Sequence, residues 1–156
     1  MVFVSKEEFD VGKIADSGQC FRLKRLEEGR FRAVAGNRCA ELQERADAWA
    51  LDCSEEEFNG FWRDYFDLNT DYAAFRAAVP EKDAYLTAAA AFGAGIRILR
   101  QEPWETLATF IISQRKNIPA IRACVEALCR RYGESLGPEY GFPTPSALAG
   151  AGEAGL

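Results

Sequence analysis

The chain has 156 residues, of which 48% are hydrophobic and 12% aromatic, and its formal net charge at pH 7 is −5. This apolar content excludes an intrinsically disordered protein, and the length fits one ordinary domain or two small ones. The sequence contains no histidine, which excludes Ser-His-Asp and Cys-His catalytic sets within this chain. No run of residues approaches the roughly 18 apolar residues of a membrane span.

The five cysteines and the first ten residues set further expectations. The cysteines form no CxxC pair, so we expect reduced thiols, no bound metal and no metal ligands in this chain. Acidic residues follow the initial methionine too closely for a signal peptide. We therefore expect a cytoplasmic protein, in the nucleoid if the source is bacterial, with no membrane partner.

The charge is unevenly distributed. Residues 1–96 hold 12 Lys and Arg against 18 Asp and Glu, whereas residues 97–156 hold 7 against 6. Net charge alone disfavours nucleic acid, but a local basic face is sufficient for binding. The second part of the chain is therefore compatible with DNA.

Residues 20–52 predict an antiparallel meander, since apolar residues alternate with polar ones and turn signals at Gly29 and Gly36 separate the segments. Ser54 and Glu57 form a predicted capping box at the start of a helix. Five aromatic residues at helical spacing follow, and they predict a core-facing stripe rather than a stacking platform for single-stranded bases: Phe58, Phe61, Trp62, Tyr65 and Phe66.

The rest of the chain predicts helices. Two short ones are expected over 72–78 and 84–92, and Pro103 begins a third that is apolar almost all round and therefore predicted to be buried. A polar elbow at residues 113–117 precedes a helix that ends at Gly133, and a weak alanine-rich helix follows Pro143. Apolar residues recur every three or four positions after the elbow and predict the buried face of that helix: Ile118, Ile121, Val125, Leu128 and Tyr132.

The elbow reads Ser-Gln-Arg-Lys-Asn, with Asn117 as a predicted N-cap and Pro119 in the first turn of the next helix. A helix N-terminus flanked by Arg115 and Lys116 suits a phosphate. A solvated connection between two helices is the alternative. The residues alone leave both open.

Three segments stand out for their wording: Ser-Gly-Gln-Cys-Phe-Arg from Ser17, the aromatic segment ending in Tyr-Phe-Asp-Leu at Leu68, and the stretch from Gly93 to Gly133. Together they resemble the 8-oxoguanine DNA glycosylases, base-excision repair enzymes with a helix-hairpin-helix domain. The resemblance implies an α+β fold. A TBP-like N-terminal antiparallel sheet with packed helices would span 1–98, and the first helices of an all-α helix-hairpin-helix glycosylase domain would span 99–156.

The resemblance also implies site residues. Gly18 would recognise the oxidised base through its carbonyl, although the residues alone also fit a plain turn. Arg115, Lys116 and Asn117 would form the wedge that enters the duplex and contacts the orphaned base. Members of the family usually have three asparagines at these positions. Ala120 stands where many members have an arginine. These departures from the family pattern argue against a strict preference for cytosine opposite the lesion.

Three further arginines, Arg97, Arg100 and Arg122, are candidate phosphate contacts, with solvated surface charge as the alternative. In bifunctional members a lysine after a glycine-rich hairpin attacks the sugar, supported by an aspartate about twenty residues later. This sequence contains neither, so no catalytic residue is predicted within it. We expect a fragment that is inactive alone and that exposes an apolar face.

The resemblance implies base-excision repair of 8-oxoguanine in duplex DNA by a glycosylase with AP lyase activity. The parent enzyme would be a monomer without a cofactor. Two alternatives stay open at this point. One is a monofunctional glycosylase for alkylated bases such as 3-methyladenine, from the same superfamily, and the other is a non-catalytic DNA-binding fragment.

Overall fold

The computed structural model of the chain describes residues 1–151. The last five residues of the predicted 99–156 domain lie outside the described residues. The described part contains strands and helices in the order β1 Val2–Ser5, α1 Val11–Asp16, β2 Leu23–Glu27, β3 Arg30–Ala35, β4 Arg38–Glu44, β5 Ala48–Leu51, α2 Glu55–Glu57, a π-helical turn Phe58–Trp62, α3 Arg63–Tyr65, α4 Tyr72–Ala77, α5 Ala84–Phe92, α6 Pro103–Ser113, α7 Ile118–Tyr132 and α8 Pro145–Ala151. This is the predicted α+β class.

The chain divides into two compact units. Unit 1 comprises Met1–Cys20, Arg25–Phe31 and Glu41–Arg100, and unit 2 comprises Phe21–Lys24, Arg32–Ala40 and Gln101–Leu156. The predicted boundary between residues 98 and 99 stays a prediction. No helix in the described part is long and apolar enough to cross a bilayer.

The five strands form one antiparallel sheet in the order β1-β5-β4-β3-β2. Strands β2 to β5 are the predicted meander, since neighbours in sequence are neighbours in the sheet. The turn glycines Gly29 and Gly36 have φ of +69° and +55°, the left-handed region that suits glycine. Sequence analysis did not predict β1, which pairs with β5 from Val2 opposite Leu51 to Ser5 opposite Ala48.

The predicted aromatic stripe is the core of unit 1. Ser54 caps its helix by accepting the Glu57 amide hydrogen at 3.0 Å, and a π-helical turn then carries the chain to α3. Phe58, Trp62, Tyr65 and Phe66 are buried, which confirms the core interpretation; Phe61 is partly buried. The Phe66 ring meets Phe9 edge-on with 5.1 Å between centroids.

Two predictions about unit 2 need correction. The helix predicted to be buried, α6, exposes three apolar side chains, Leu107, Phe110 and Ile111, and only part of its surface packs within the described residues. The apolar line of α7 also differs, because Ile118 is half exposed and the buried positions are Ile121, Val125 and Cys129. These three pack with Phe21, Ile112, Tyr140 and Phe142.

Candidate functional site

The elbow between α6 and α7 is a tight, exposed turn. The amide of Gln114 donates to the Ile111 carbonyl at 3.3 Å, and that of Lys116 donates to the Ser113 carbonyl at 3.2 Å. Between them Arg115 has φ of +58°, a left-handed conformation that is uncommon for a residue with a Cβ. The Arg115 side chain is exposed.

The last elbow residue begins the next helix. Asn117 Oδ1 accepts the Ala120 amide hydrogen at 2.9 Å, which confirms the predicted N-cap. Since this oxygen already caps the helix, the donors that the Asn117 side chain offers are its two amide hydrogens. Arg115 and Lys116 carry donors alone. The positive end of the α7 dipole lies beside these three side chains, which therefore place hydrogen-bond donors in a region of positive potential.

A partly buried ionic cluster contacts α7 through Glu126. Arg22, which is 1% exposed, donates to Glu126 Oε1 at 3.3 Å and to the Tyr140 carbonyl. Lys24 Nζ lies 2.9 Å from a carboxylate oxygen of both Glu126 and Glu139. Burial alone would raise the pKa of Glu139, but hydrogen bonds from Lys24 and Arg32 outweigh it, so the pKa is lowered. The cluster fixes α7, and therefore the elbow, within unit 2.

The turn at Gly18 belongs to unit 1 and follows the end of α1. Gly18 is exposed with φ of +78°, and a Cβ built on it would meet no atom of residues 1–151 within 4 Å. The next side chain, Gln19, is bound on three sides. Its Nε2 donates to Ser17 Oγ at 3.0 Å and to the Arg97 carbonyl at 2.9 Å, while its Oε1 accepts the Leu99 amide hydrogen at 2.8 Å. The turn is therefore open to ligand on one side and held on the other.

The structure corrects the prediction for Arg97. This residue is 5% exposed, and its guanidinium donates to the carbonyls of Glu8 at 2.7 Å, Asp67 at 2.6 Å and Thr70 at 3.1 Å. It also lies 4.8 Å from the centroid of the Tyr72 ring. A guanidinium used in this way joins segments of unit 1 and is not accessible to a phosphate.

The other two arginines remain accessible. Arg100 is exposed over 62% of its side chain, and its guanidinium is oriented by Asp67 Oδ1 at 2.8 Å. Burial alone would raise the pKa of Asp67, but hydrogen bonds from Thr70, Arg100 and Tyr72 outweigh it, so the pKa is lowered. Arg122 lies on the exposed side of α7, five residues after the elbow. For both, the role of phosphate contact stays a prediction.

Sequence analysis missed Asp67, Glu126 and Glu139 as organising residues. Asp67 lies in the aromatic segment, and no pattern in the neighbouring residues indicates that it orients Arg100. Glu126 is 104 residues from Arg22, so its pairing leaves no short-range pattern. Within residues 1–151 no group of three or more potential metal ligands converges.

Comparisons with known proteins give consistent results. A family model described as the N-terminal domain of 8-oxoguanine DNA glycosylase matches residues 1–107. The N-glycosylase/DNA lyase of Saccharomyces cerevisiae is 46% identical over 59 residues, which is 35% of this chain and 16% of the yeast protein.

Solved structures match over nearly the whole chain. MBOgg1 in complex with a low-affinity DNA ligand is 38% identical with a TM-score of 0.84, covering 94% of this chain and 52% of that one. The apo-form of Clostridium acetobutylicum 8-oxoguanine glycosylase/lyase is 37% identical with a TM-score of 0.87, covering 94% and 53%. Its complex with duplex DNA containing cytosine opposite 8-oxoguanine is 34% identical with a TM-score of 0.85, covering 95% and 56%. The chain thus spans about half the length of these solved relatives.

Proposed function

The chain belongs to the family of 8-oxoguanine DNA glycosylases, whose N-terminal domain it carries, and from this premise we propose that it recognises oxidised guanine in duplex DNA. The reaction of the whole protein is release of 8-oxoguanine followed by AP lyase cleavage. In this assignment unit 1 supplies a contact to the damaged base, and unit 2 supplies the wedge that enters the duplex.

The observation that carries the proposal is the exposed elbow at the start of α7, where the side chains of Arg115, Lys116 and Asn117 offer hydrogen-bond donors. A base must leave the helical stack before its glycosidic bond can be cut, and this costs a few kcal/mol. A side chain that occupies the resulting gap and hydrogen-bonds the orphaned base lowers that cost. Arg115, held in one backbone conformation between two turn hydrogen bonds, is suited to this because little backbone freedom is lost on binding.

The neighbouring residues fit a phosphate contact. Lys116 and the free amide hydrogens of Asn117 lie at the positive end of a 15-residue helix. Exposed Arg122 adds a donor on the same helix, and in unit 1 Arg100 adds a guanidinium oriented by Asp67. These groups would position the strand without reading its sequence.

Gly18 is proposed to contact the oxidised base itself. Its open, left-handed turn allows close approach of a ligand to the backbone. A backbone carbonyl accepts the hydrogen that 8-oxoguanine carries at N7, whereas guanine presents an acceptor there. An acceptor facing an acceptor costs about 1–3 kcal/mol.

We expect that no lysine of this chain supplies the nucleophile of the lyase step, because none of them follows a glycine-rich hairpin. Lys6 donates to Glu44 at 2.7 Å, Lys13 to two backbone carbonyls at 2.8 and 3.0 Å, and Lys24 to two carboxylates. These contacts engage the Nζ atoms of three of the five lysines of the chain. Lys82 and Lys116 are exposed. We therefore expect no borohydride-trapped covalent adduct between this chain and damaged duplex.

The proposal is tested by fluorescence anisotropy with three labelled duplexes: undamaged, with 8-oxoguanine opposite cytosine, and with a stable abasic-site analogue. The abasic duplex already contains the gap, so the chain should bind it most tightly. Arg115→Ala should weaken that binding about tenfold, the loss expected for one charge-assisted hydrogen bond. Arg130→Ala removes one exposed charge from the far end of α7 and is the matched control. Equal affinity for all three duplexes, or equal losses in the two variants, would contradict the proposal.

A further inference from the structure

The side-chain amide of Gln19 is hydrogen-bonded through both its nitrogen and its oxygen, although the residue lies in a turn. A primary amide offers two N–H donors and a carbonyl acceptor. In Gln19 both sides are used: Nε2 donates to Ser17 Oγ and the Arg97 carbonyl, and Oε1 accepts from the Leu99 amide. The residue directly before it is Gly18. The amide thus ties both ends of the turn to one extended segment.

The segment to which Gln19 is tied is itself fixed. The Arg97 guanidinium is anchored on three backbone carbonyls of unit 1, and the Leu99 side chain is 5% exposed. Its neighbour Arg100 donates its amide hydrogen to the Tyr65 carbonyl at 2.9 Å. The Gln19 amide therefore bonds to a segment, residues 97–100, that is itself held by hydrogen bonds to the rest of unit 1.

The Ser17 side of the turn is fixed in the same way. Its hydroxyl donates to the Ile14 carbonyl at 2.7 Å and accepts from Gln19, so the last turn of α1 is included in the network. Cys20, on the other side, is buried beside Tyr65. Gly18 is the one exposed glycine between these anchored neighbours.

We propose that Gln19 is a positioning residue for lesion discrimination: its side-chain amide holds the Gly18 turn in the orientation that distinguishes oxidised guanine from guanine. The inference rests on the proposed contact of Gly18 with the damaged base. Gln19 acts through Gly18, since its own polar atoms are engaged within unit 1. A turn able to tilt away from an unmatched base would lose the acceptor-against-acceptor penalty on which discrimination depends.

The most direct variant is Gln19→Glu, which keeps size and shape and still accepts from Leu99. Its second oxygen faces the Arg97 carbonyl, so a donor–acceptor pair becomes an acceptor–acceptor pair. Gln43→Glu makes the same chemical change at an exposed position and is the matched control. The readout is the ratio of dissociation constants for duplexes carrying guanine and 8-oxoguanine opposite cytosine. The added charge affects both duplexes alike and cancels in this ratio.

We expect Gln19→Glu to lower the discrimination ratio about fivefold to tenfold, the effect of about one mismatched hydrogen bond. Affinity for the abasic duplex should stay within about twofold of wild type, because the elbow in unit 2 is unchanged. The Leu99 amide hydrogen should exchange at the wild-type rate, since its acceptor remains. Ser17→Ala removes one of the three Gln19 contacts and should give a smaller loss in the same direction. It is the test variant if Gln19→Glu does not fold.

The outcomes separate the inference from the proposed function. If the wild-type chain prefers the abasic duplex but does not distinguish 8-oxoguanine from guanine, the result contradicts the proposed Gly18 contact and, with it, the proposed role of Gln19. A discriminating wild type with an unchanged ratio in both Gln19→Glu and Ser17→Ala overturns the inference and leaves the proposed function intact. Equal loss on every duplex, with a lowered melting temperature, would assign Gln19 a structural role alone and also overturn it.

Discussion

Asn117 Oδ1 accepts the amide hydrogen of Ala120 at 2.9 Å, so the residue that closes the elbow is also the cap of α7. The elbow is consequently not a loop that moves independently of the helix. Arg115, two residues earlier, lies between the turn hydrogen bonds donated by the Gln114 and Lys116 amides. The stability of α7 and the proposed binding of DNA by the elbow are therefore linked through the Asn117 side chain.

Replacing Asn117 separates these two roles. Asn117→Ala removes the cap and should lower the free energy of unfolding by about 1 kcal/mol. Asn117→Asp keeps an oxygen for the cap but removes the outward amide hydrogens. It should retain stability and weaken DNA binding. Urea denaturation measures the first effect and duplex anisotropy the second. Equal stability of Asn117→Ala and wild type would show that the cap does not stabilise α7.

The backbone conformation of Arg115 makes its own prediction. At φ of +58° asparagine is tolerated, whereas a β-branched side chain is strongly disfavoured. Arg115→Asn should leave the melting temperature unchanged or raised, and Arg115→Val should destabilise the chain by about 1–2 kcal/mol. Calorimetry distinguishes them. Identical melting temperatures for the two variants would mean that residue 115 is not held in the left-handed region.

Asp67 gives the fold a defined response to acid. Its pKa is lower in the folded chain than in the unfolded chain, where it is about 3.9. Its ionised form therefore contributes stability that is fully present above that unfolded value and is lost as the pH falls through the folded value. Asp67→Asn should lose about 1–3 kcal/mol at pH 7, and the difference from wild type should shrink below pH 4.

The control for Asp67 is Asp47→Asn, at an exposed position, with an expected change below about 0.5 kcal/mol. Urea denaturation at pH 7 and pH 3 provides the measurement. Stability curves for wild type and Asp67→Asn that run parallel across this range would exclude Asp67 as the cause of acid sensitivity.

The exposed apolar face of α6 predicts self-association. Phe110 is 63% exposed, beside exposed Leu107 and Ile111. Phe110→Glu should change the free energy of unfolding by less than about 0.5 kcal/mol while reducing association in sedimentation velocity. Ile121→Glu, at a buried position of α7, should prevent folding and is the contrasting variant. Unchanged association of Phe110→Glu would assign the behaviour to another surface.

Local patterns predicted most of the elements. Alternation and the glycines at 29 and 36 were sufficient for β2 to β5, and Ser54, Pro103 and Asn117 marked the helix starts at or next to their observed positions. These signals depend on neighbours in sequence. By contrast, Arg97 was assigned to the surface because its acceptors at Glu8 and Asp67 are 89 and 30 residues away.

The site was predictable only in part for the same reason. The elbow was predictable from its polar residues between an apolar helix and an amphipathic one. The left-handed conformation of Arg115 was not, since arginine has no particular preference for it. The burial of α6 was overestimated because a helix that is apolar on all sides does not indicate which side its neighbours cover. The Gln19 contacts join residues about 80 positions apart and have no sequence signature.

The central claim is that Arg115 enters the duplex opposite a displaced or missing base. The most direct measurement places 2-aminopurine opposite an abasic-site analogue and follows its fluorescence during titration with the chain. The account predicts a saturable change in emission with wild type and with Arg130→Ala, and none with Arg115→Ala at protein concentrations that still saturate the duplex. The same change in Arg115→Ala, or no change with wild type, would contradict it.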